Sequence, residues 1–208
     1  MSVSIIIEDN PISRCYIKIL KDHKIKIENL IYLSDSSFLP NFIKLRMKFN
    51  KNNFWPLKFL KNKEFQYLIN QIEEFFDFKR GFCQEMYRFE NINYISDNII
   101  ISKSQKINSI ENIDLIKSMK EKIFINTGKQ ILKEILDINK KFIHIHPGDL
   151  PYTRGADASL WQLKNFGNYA VSCFYINKEL DNGEIIFKQK INFKTLKLDN
   201  FSNYEISE

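Results

Sequence analysis

The stretch Phe142-Ile143-His144-Ile145-His146-Pro147-Gly148-Asp149-Leu150-Pro151-Tyr152-Thr153-Arg154-Gly155 decides how this chain is read. Phe142 to Ile145 is a short run rich in β-branched residues, which reads as a strand. It runs straight into His146-Pro147-Gly148, where the backbone must turn. Ligands of open α/β sheets bind beyond the carboxyl ends of strands, so a site is expected at this point. His144 and His146 are two apart on the strand, so their side chains point to the same side. They are two of the chain's three histidines. The third, His23, lies in a Lys-rich turn and reads as solvent-facing.

Working outward, the same alternation of elements recurs. Ser4 to Ile7, Lys26 to Leu33, Asn98 to Ile101 and Ile123 to Asn126 read as further strands. A helix follows the first of them, capped by Asp9 or Asn10 with Pro11 in its first turn. Apolar periodicity predicts helices over Pro56 to Phe78, Glu111 to Lys120, Gly128 to Leu136 and Ala156 to Phe166. Tyr169 to Ile176 and Glu184 to Phe193 read as two strands joined by Asn177 to Gly183. The polar and aromatic segment Ser34 to Asn53 has no clear assignment. Strands alternating with helices predict an α/β fold with a mainly parallel sheet and helices on both faces. Residues 1–193 form the expected domain, and the polar residues 194–208 a tail or the start of a truncated appendage.

Composition narrows the classes. Hydrophobic residues make up 44% of the 208, enough for a core in one domain. The net charge is +6, but only five of the 31 basic residues are Arg, and the lysines are scattered among acids. That pattern describes a solvated surface rather than a nucleic-acid reader, which leans on Arg. Cys15, Cys83 and Cys173 are far apart and in no CxxC pattern. Neither a disulfide framework nor a zinc knuckle follows, and a reducing, cytoplasmic setting fits. No segment reaches the roughly 18 uninterrupted apolar residues of a membrane span.

The chemistry of the central stretch is proton chemistry. Histidine is the side chain best placed to move a proton near neutral pH. Asp181, presented on the turn Asp181-Asn182-Gly183, can pair with an imidazole, fix its tautomer and favour its charged form. Taken singly, each of these features also has a purely structural reading. The His-x-His pair is also half of a metal site, with Asp149 and Asp157 as the near candidates for further ligands. A metal-dependent hydrolase is therefore one alternative.

Several motifs in order and at spacing carry a resemblance. His146-Pro147-Gly148-Asp149-Leu150-Pro151 with Arg154-Gly155, followed 35 positions after His146 by Asp181-Asn182-Gly183-Glu184-Ile185, resembles the catalytic domain of the folate-dependent formyltransferases. Thr127-Gly128-Lys129-Gln130 is similar to the segment just upstream in that family. The likeness covers about residues 120–190. It implies a Rossmann-like domain, 10-formyltetrahydrofolate as formyl donor, and a small-molecule primary amine as acceptor. It implies no metal; the composition and hydropathy above argue against nucleic acid and membrane as partners, and a homodimer stays open. By that analogy His146 and Asp181 are catalytic. Thr127, Gly128, Lys129, Gln130, Asn182 and Gly183 would hold the pterin, Gly148 and Asp149 would face the acceptor, and Arg154 would either face the acceptor or stabilise the loop. One position departs from the family, whose Asn is His144 here. An imidazole N–H in that place would donate to the formyl oxygen as the Asn does. The same departure motivates a second alternative, a diverged homologue that binds folate or nucleotide without transfer.

Among acceptors, the branch acting on glycinamide ribonucleotide carries a Gly- and Ser-rich phosphate loop after the first strand. Here Glu8-Asp9-Asn10-Pro11 stands there, and acids repel a phosphate. The methionyl-tRNA branch carries a further C-terminal domain. The remaining expectation is a nucleotide-linked amino sugar.

Overall fold

The computed structural model describes residues 2–8, 10–33, 63–75, 79–86 and 92–191. Its elements are β1 (Val3–Ile7), α1 (Pro11–Asp22), β2 (Asn29–Leu33), α2 (Lys63–Phe75), α3 (Phe82–Met86), β3 (Asn98–Ser102), α4 (Ile110–Ser118), β4 (Ile123–Asn126), β5 (Lys141–His146), α5 (Ala158–Phe166), β6 (Tyr169–Tyr175) and β7 (Ile185–Ile191). Among the described residues one seven-stranded sheet runs in the order β3-β2-β1-β4-β5-β6-β7. The first five strands of that order are parallel, and β6 and β7 join antiparallel.

The sheet is covered on both faces, as the alternation of elements predicts. Ile5, Ile6 and Ile7 of β1 are all fully buried, which a strand achieves only between two layers. Period-two geometry sends Ile6 to one face, with Ile31, Phe124, Phe142 and Ile116 of α4. Ile5 and Ile7 go to the other, with Leu30 and Ile17 of α1. Each fully buried Ile contributes about 1.5–3 kcal/mol of apolar burial. Helix α1 starts where the sequence says it should: Asn10 accepts a hydrogen bond from the Ser13 N–H at 2.8 Å, with Pro11 in the first turn. Among the described residues no helix is long and apolar enough to cross a membrane.

Two expectations change. The helix expected over 128–136 is not formed; only a 3-10 turn, Glu134–Asp137, occurs there. Asn108 explains it, donating to the Ile131 carbonyl and accepting from the Lys133 N–H, both at 2.8 Å. Those are backbone groups a helix would pair internally. The second strand begins at Asn29 rather than Lys26, because the Ile27 N–H is drawn aside to the Ile95 carbonyl at 2.9 Å. The helix expected over 56–78 is described over Lys63–Phe75. The unassigned segment 34–53 and the tail 194–208 lie outside the described residues.

Candidate functional site

Strand β5 delivers both histidines to one face, Phe142 beneath them in the core. His146, its last residue, is buried. Its Nε2–H donates to the Thr153 carbonyl at 2.9 Å. A carbonyl oxygen only accepts, so that nitrogen carries the proton of the neutral ring. The other nitrogen, Nδ1, faces the Asp181 carboxylate at 3.6 Å. This is beyond hydrogen-bond reach, and the contact becomes a full ion pair when the ring gains its second proton. Burial pushes the His146 pKa below its ordinary value; the Asp181 charge and the Thr153 carbonyl pull it up but do not prevail, and His144 adds a small downward push. The resting ring is therefore mainly neutral at neutral pH.

Asp181 is held at a positive φ of 49°, and its Oδ2 also accepts from the Gly155 N–H at 2.9 Å. The adjacent Arg154 guanidinium donates to Asn182 Oδ1 at 2.6 Å. Arg154 and Gly155 thus staple the 147–155 loop to the 181–183 turn. Gly183 closes that turn at a position where a Cβ would lie 1.5 Å from the Tyr175 carbonyl oxygen. Backbone against backbone cannot give way. Gly183→Ala is expected to destabilise the protein by about 1–3 kcal/mol or more, as overpacking does, read as a lowered melting temperature.

The loop itself is fixed from within. Ser172 of β6 donates to the Gly148 carbonyl at 2.7 Å and accepts from the Leu150 N–H at 3.0 Å. The Thr153 hydroxyl accepts from the Asp149 N–H at 2.8 Å and donates to Gln162 of α5 at 2.8 Å. A Cβ on Gly148 would sit 2.6 Å from the Thr153 hydroxyl, so the loop packs on itself at that point. These bonds bring the Thr153 carbonyl to His146.

Asp149 is buried and binds Lys188 at 2.8 Å and Lys190 at 2.9 Å, both from β7. Its carboxylate is turned to these two ammoniums. Burial opposes its ionisation, but Lys188 and Lys190 together outweigh it and hold the carboxyl below its ordinary range. A depressed carboxyl pKa contributes stability that is present above the unfolded value, about 3.9, and lost as pH falls through the folded value. Asp149→Asn is therefore expected to lose more stability at pH 7 than at pH 3, measured by urea denaturation at both. An equal loss at both would contradict this pairing.

His144 is half-buried, its ring edge-on to Phe174. Its Nδ1 lies 3.0 Å from the Asn126 carbonyl at the end of β4 and must donate to it. A neutral His144 then offers a lone pair, not an N–H, at Nε2. The expected donation from His144 to a formyl oxygen thus requires the charged ring.

The segment 127–130 stands beside this pair. Thr127 donates to the Ile6 carbonyl at 2.9 Å. Gln130 donates to Glu8 at 2.9 Å and to the Gln105 carbonyl at 2.7 Å, and accepts from the Ile107 N–H at 3.1 Å. Both side chains are spent on the fold, and the buried Gly128 N–H donates to Asn126 Oδ1 at 3.3 Å, so the exposed Lys129 is what this segment presents. Glu8 lies against Gly128 at the end of β1. Among the described residues no three His, Cys, Asp or Glu side chains cluster as a metal site.

Sequence reading missed Asn126, Thr153, Lys188 and Lys190. Backbone carbonyls carry no sequence signal, and the two lysines show only a period-two spacing on a strand.

The sequence matches no family model and no curated protein. Solved structures do match. Phosphoribosylglycinamide formyltransferase from Campylobacter jejuni superposes with a TM-score of 0.54 at 16% identity, covering 97% of this chain and 87% of that one. The enzyme of that name from Streptococcus pneumoniae gives 0.51 at 12%, covering 96% and 87%. That from Anaplasma phagocytophilum gives 0.51 at 17%, covering 94% and 73%. These superpositions run over nearly the whole chain, well past the stretch whose motifs suggested the likeness. The chain has the α/β fold of the phosphoribosylglycinamide formyltransferases.

Proposed function

We propose that this protein transfers a formyl group from 10-formyltetrahydrofolate to the primary amine of a small molecule. The observation that carries the reading is the His146–Asp181 pair, 3.6 Å apart at the carboxyl end of β5, on a fold shared with formyltransferases. When bound, the folate supplies an activated formyl carbon. Of the residues expected to hold it, the exposed Asn182 turn and the exposed Lys129 are the groups open to it, Lys129 for the anionic tail of the donor. Asp181 favours the charged form of His146, and that positive ring would stabilise negative charge developing on the formyl oxygen. Arg154, Asn182 and the Ser172-anchored loop hold the pair in place.

The acceptor in this reading is an amino sugar on a nucleotide carrier. Glu8 supports it, because a carboxylate held by Gln130 at the end of β1 disfavours a phosphate there. The ammoniums of Lys188 and Lys190 lie farther along the same face, where a carrier's phosphates could be met. The direct test is incubation with 10-formyltetrahydrofolate and a panel of amines, followed by mass spectrometry. A product heavier by one CO on an amino sugar supports the reading. Product only on a phosphorylated glycinamide would reassign the acceptor, and no product on any amine would reject transfer.

A further inference from the structure

The hydrogen bonds of the two histidines differ in a way that separates their chemistry. His146 keeps its proton on Nε2, turned inward to Thr153, and shows Nδ1 to a carboxylate. His144 keeps its proton on Nδ1, turned to Asn126. No buried side-chain nitrogen or oxygen among the described residues lacks a partner, and His144 Nε2 has no hydrogen bond, so solvent reaches that atom. The ring is fixed at both ends, by the Asn126 carbonyl at 3.0 Å and by the T-shaped contact with Phe174 at 6.1 Å between centroids. What results is a positioned imidazole with an open lone pair, on the same face of β5 as His146 and with no carboxylate partner.

We propose that His144 is the general base of the transfer, a catalytic role that an Asn at this position cannot perform. The inference rests on the formyl-transfer reading above. The acceptor's nitrogen uses its lone pair to bond the formyl carbon, and the C=O π pair moves to oxygen, where the charged His146 ring stabilises it. The new N–C bond leaves the nitrogen cationic, and His144 Nε2 takes one of its protons. The oxygen pair then re-forms C=O as the bond to the folate nitrogen breaks, and the proton on His144 passes to that leaving nitrogen. The sum is an amine and 10-formyltetrahydrofolate going to a formamide and tetrahydrofolate, with both histidines returned to their starting states. A base that accepts from the entering nitrogen and gives to the leaving one needs an accessible lone pair, not a buried one. Between the two rings, only His144 combines that lone pair with freedom from a neighbouring carboxylate.

The proposal is tested in two ways on the full chain. First, 15N NMR of histidine-labelled wild type is expected to show His144 protonated on Nδ1 and His146 on Nε2; a proton on His144 Nε2 overturns the proposal without any assay of activity. Second, His144→Asn retains an N–H donor but cannot accept a proton. It is expected to bind 5-formyltetrahydrofolate as wild type does while kcat/KM falls by about 10²–10⁴. His144→Ala is expected to regain activity when imidazole is added. His144→Asn with wild-type kcat/KM overturns the base role and leaves formyl transfer standing. Wild type that transfers to no amine rejects the underlying reading, and the proposal with it.

Discussion

Asp181→Asn is expected to lower kcat/KM for formyl transfer by about 10²–10⁴, the range of a positioned acid–base pair. The substitution keeps shape. The amide oxygen can still accept from the Gly155 N–H, now held at 2.9 Å. Asn also tolerates the positive φ of 49° found at this position, which most side chains do not. What it removes is the charge facing His146 Nδ1 at 3.6 Å. Burial already drives that ring toward its neutral form, and Asp181 is the main influence opposing it. Without it the His146 pKa falls further, and fewer molecules carry the charged ring that would stabilise the formyl oxygen. Two measurements check this: kcat/KM, and the His146 titration followed by NMR. Activity within a few-fold of wild type, or a His146 titration that does not move downward, would contradict the assigned role.

The second large effect is expected from His146→Ala, and here stability and catalysis change together. Loss of the ring leaves the Thr153 carbonyl without its partner. A buried polar group left unsatisfied costs about 1–3 kcal/mol, so the melting temperature falls. Catalysis falls by at least the amount seen for Asp181→Asn, because the ring itself is gone. A pH-dependent readout separates the two. The folded pKa of His146 lies below its ordinary value, so as pH falls through about 6.5 the unfolded chain takes up its proton first. Stability therefore declines with falling pH until the folded-state pKa is reached, and then levels. His146→Ala is expected to lose that part of the slope, seen in denaturant melts between neutral and acid pH. An unchanged slope would place the ring in a solvated setting.

The fold was legible where local chemistry and burial agree. The runs at β1 and β4 are β-branched and reach the core, and Asn10-Pro11 starts α1 as its chemistry dictates. Reading failed at 128–136, because Asn108 competes from a distance of more than twenty residues for the backbone groups of that segment. No window of local sequence contains that competition. At the site, the meeting of His146 and Asp181 was what the resemblance implied, and the structure places them 3.6 Å apart. The tautomers did not follow from the sequence. They are set by the carbonyls of Asn126 and Thr153, one on the neighbouring strand and one in the returning loop. Asp149 shows the same limit. It reads as a group facing a ligand, but β7 brings Lys188 and Lys190 onto it by antiparallel register.

The central claim is that the loops around His146 and Asp181 form a folate site, and calorimetric titration with 5-formyltetrahydrofolate, a stable analogue of the donor, tests it most directly. The expected result is binding in the micromolar range by wild type that weakens in Asp181→Asn and His146→Ala. No binding at millimolar ligand, or binding indifferent to both substitutions, would mean that the fold persists without the donor site proposed for it.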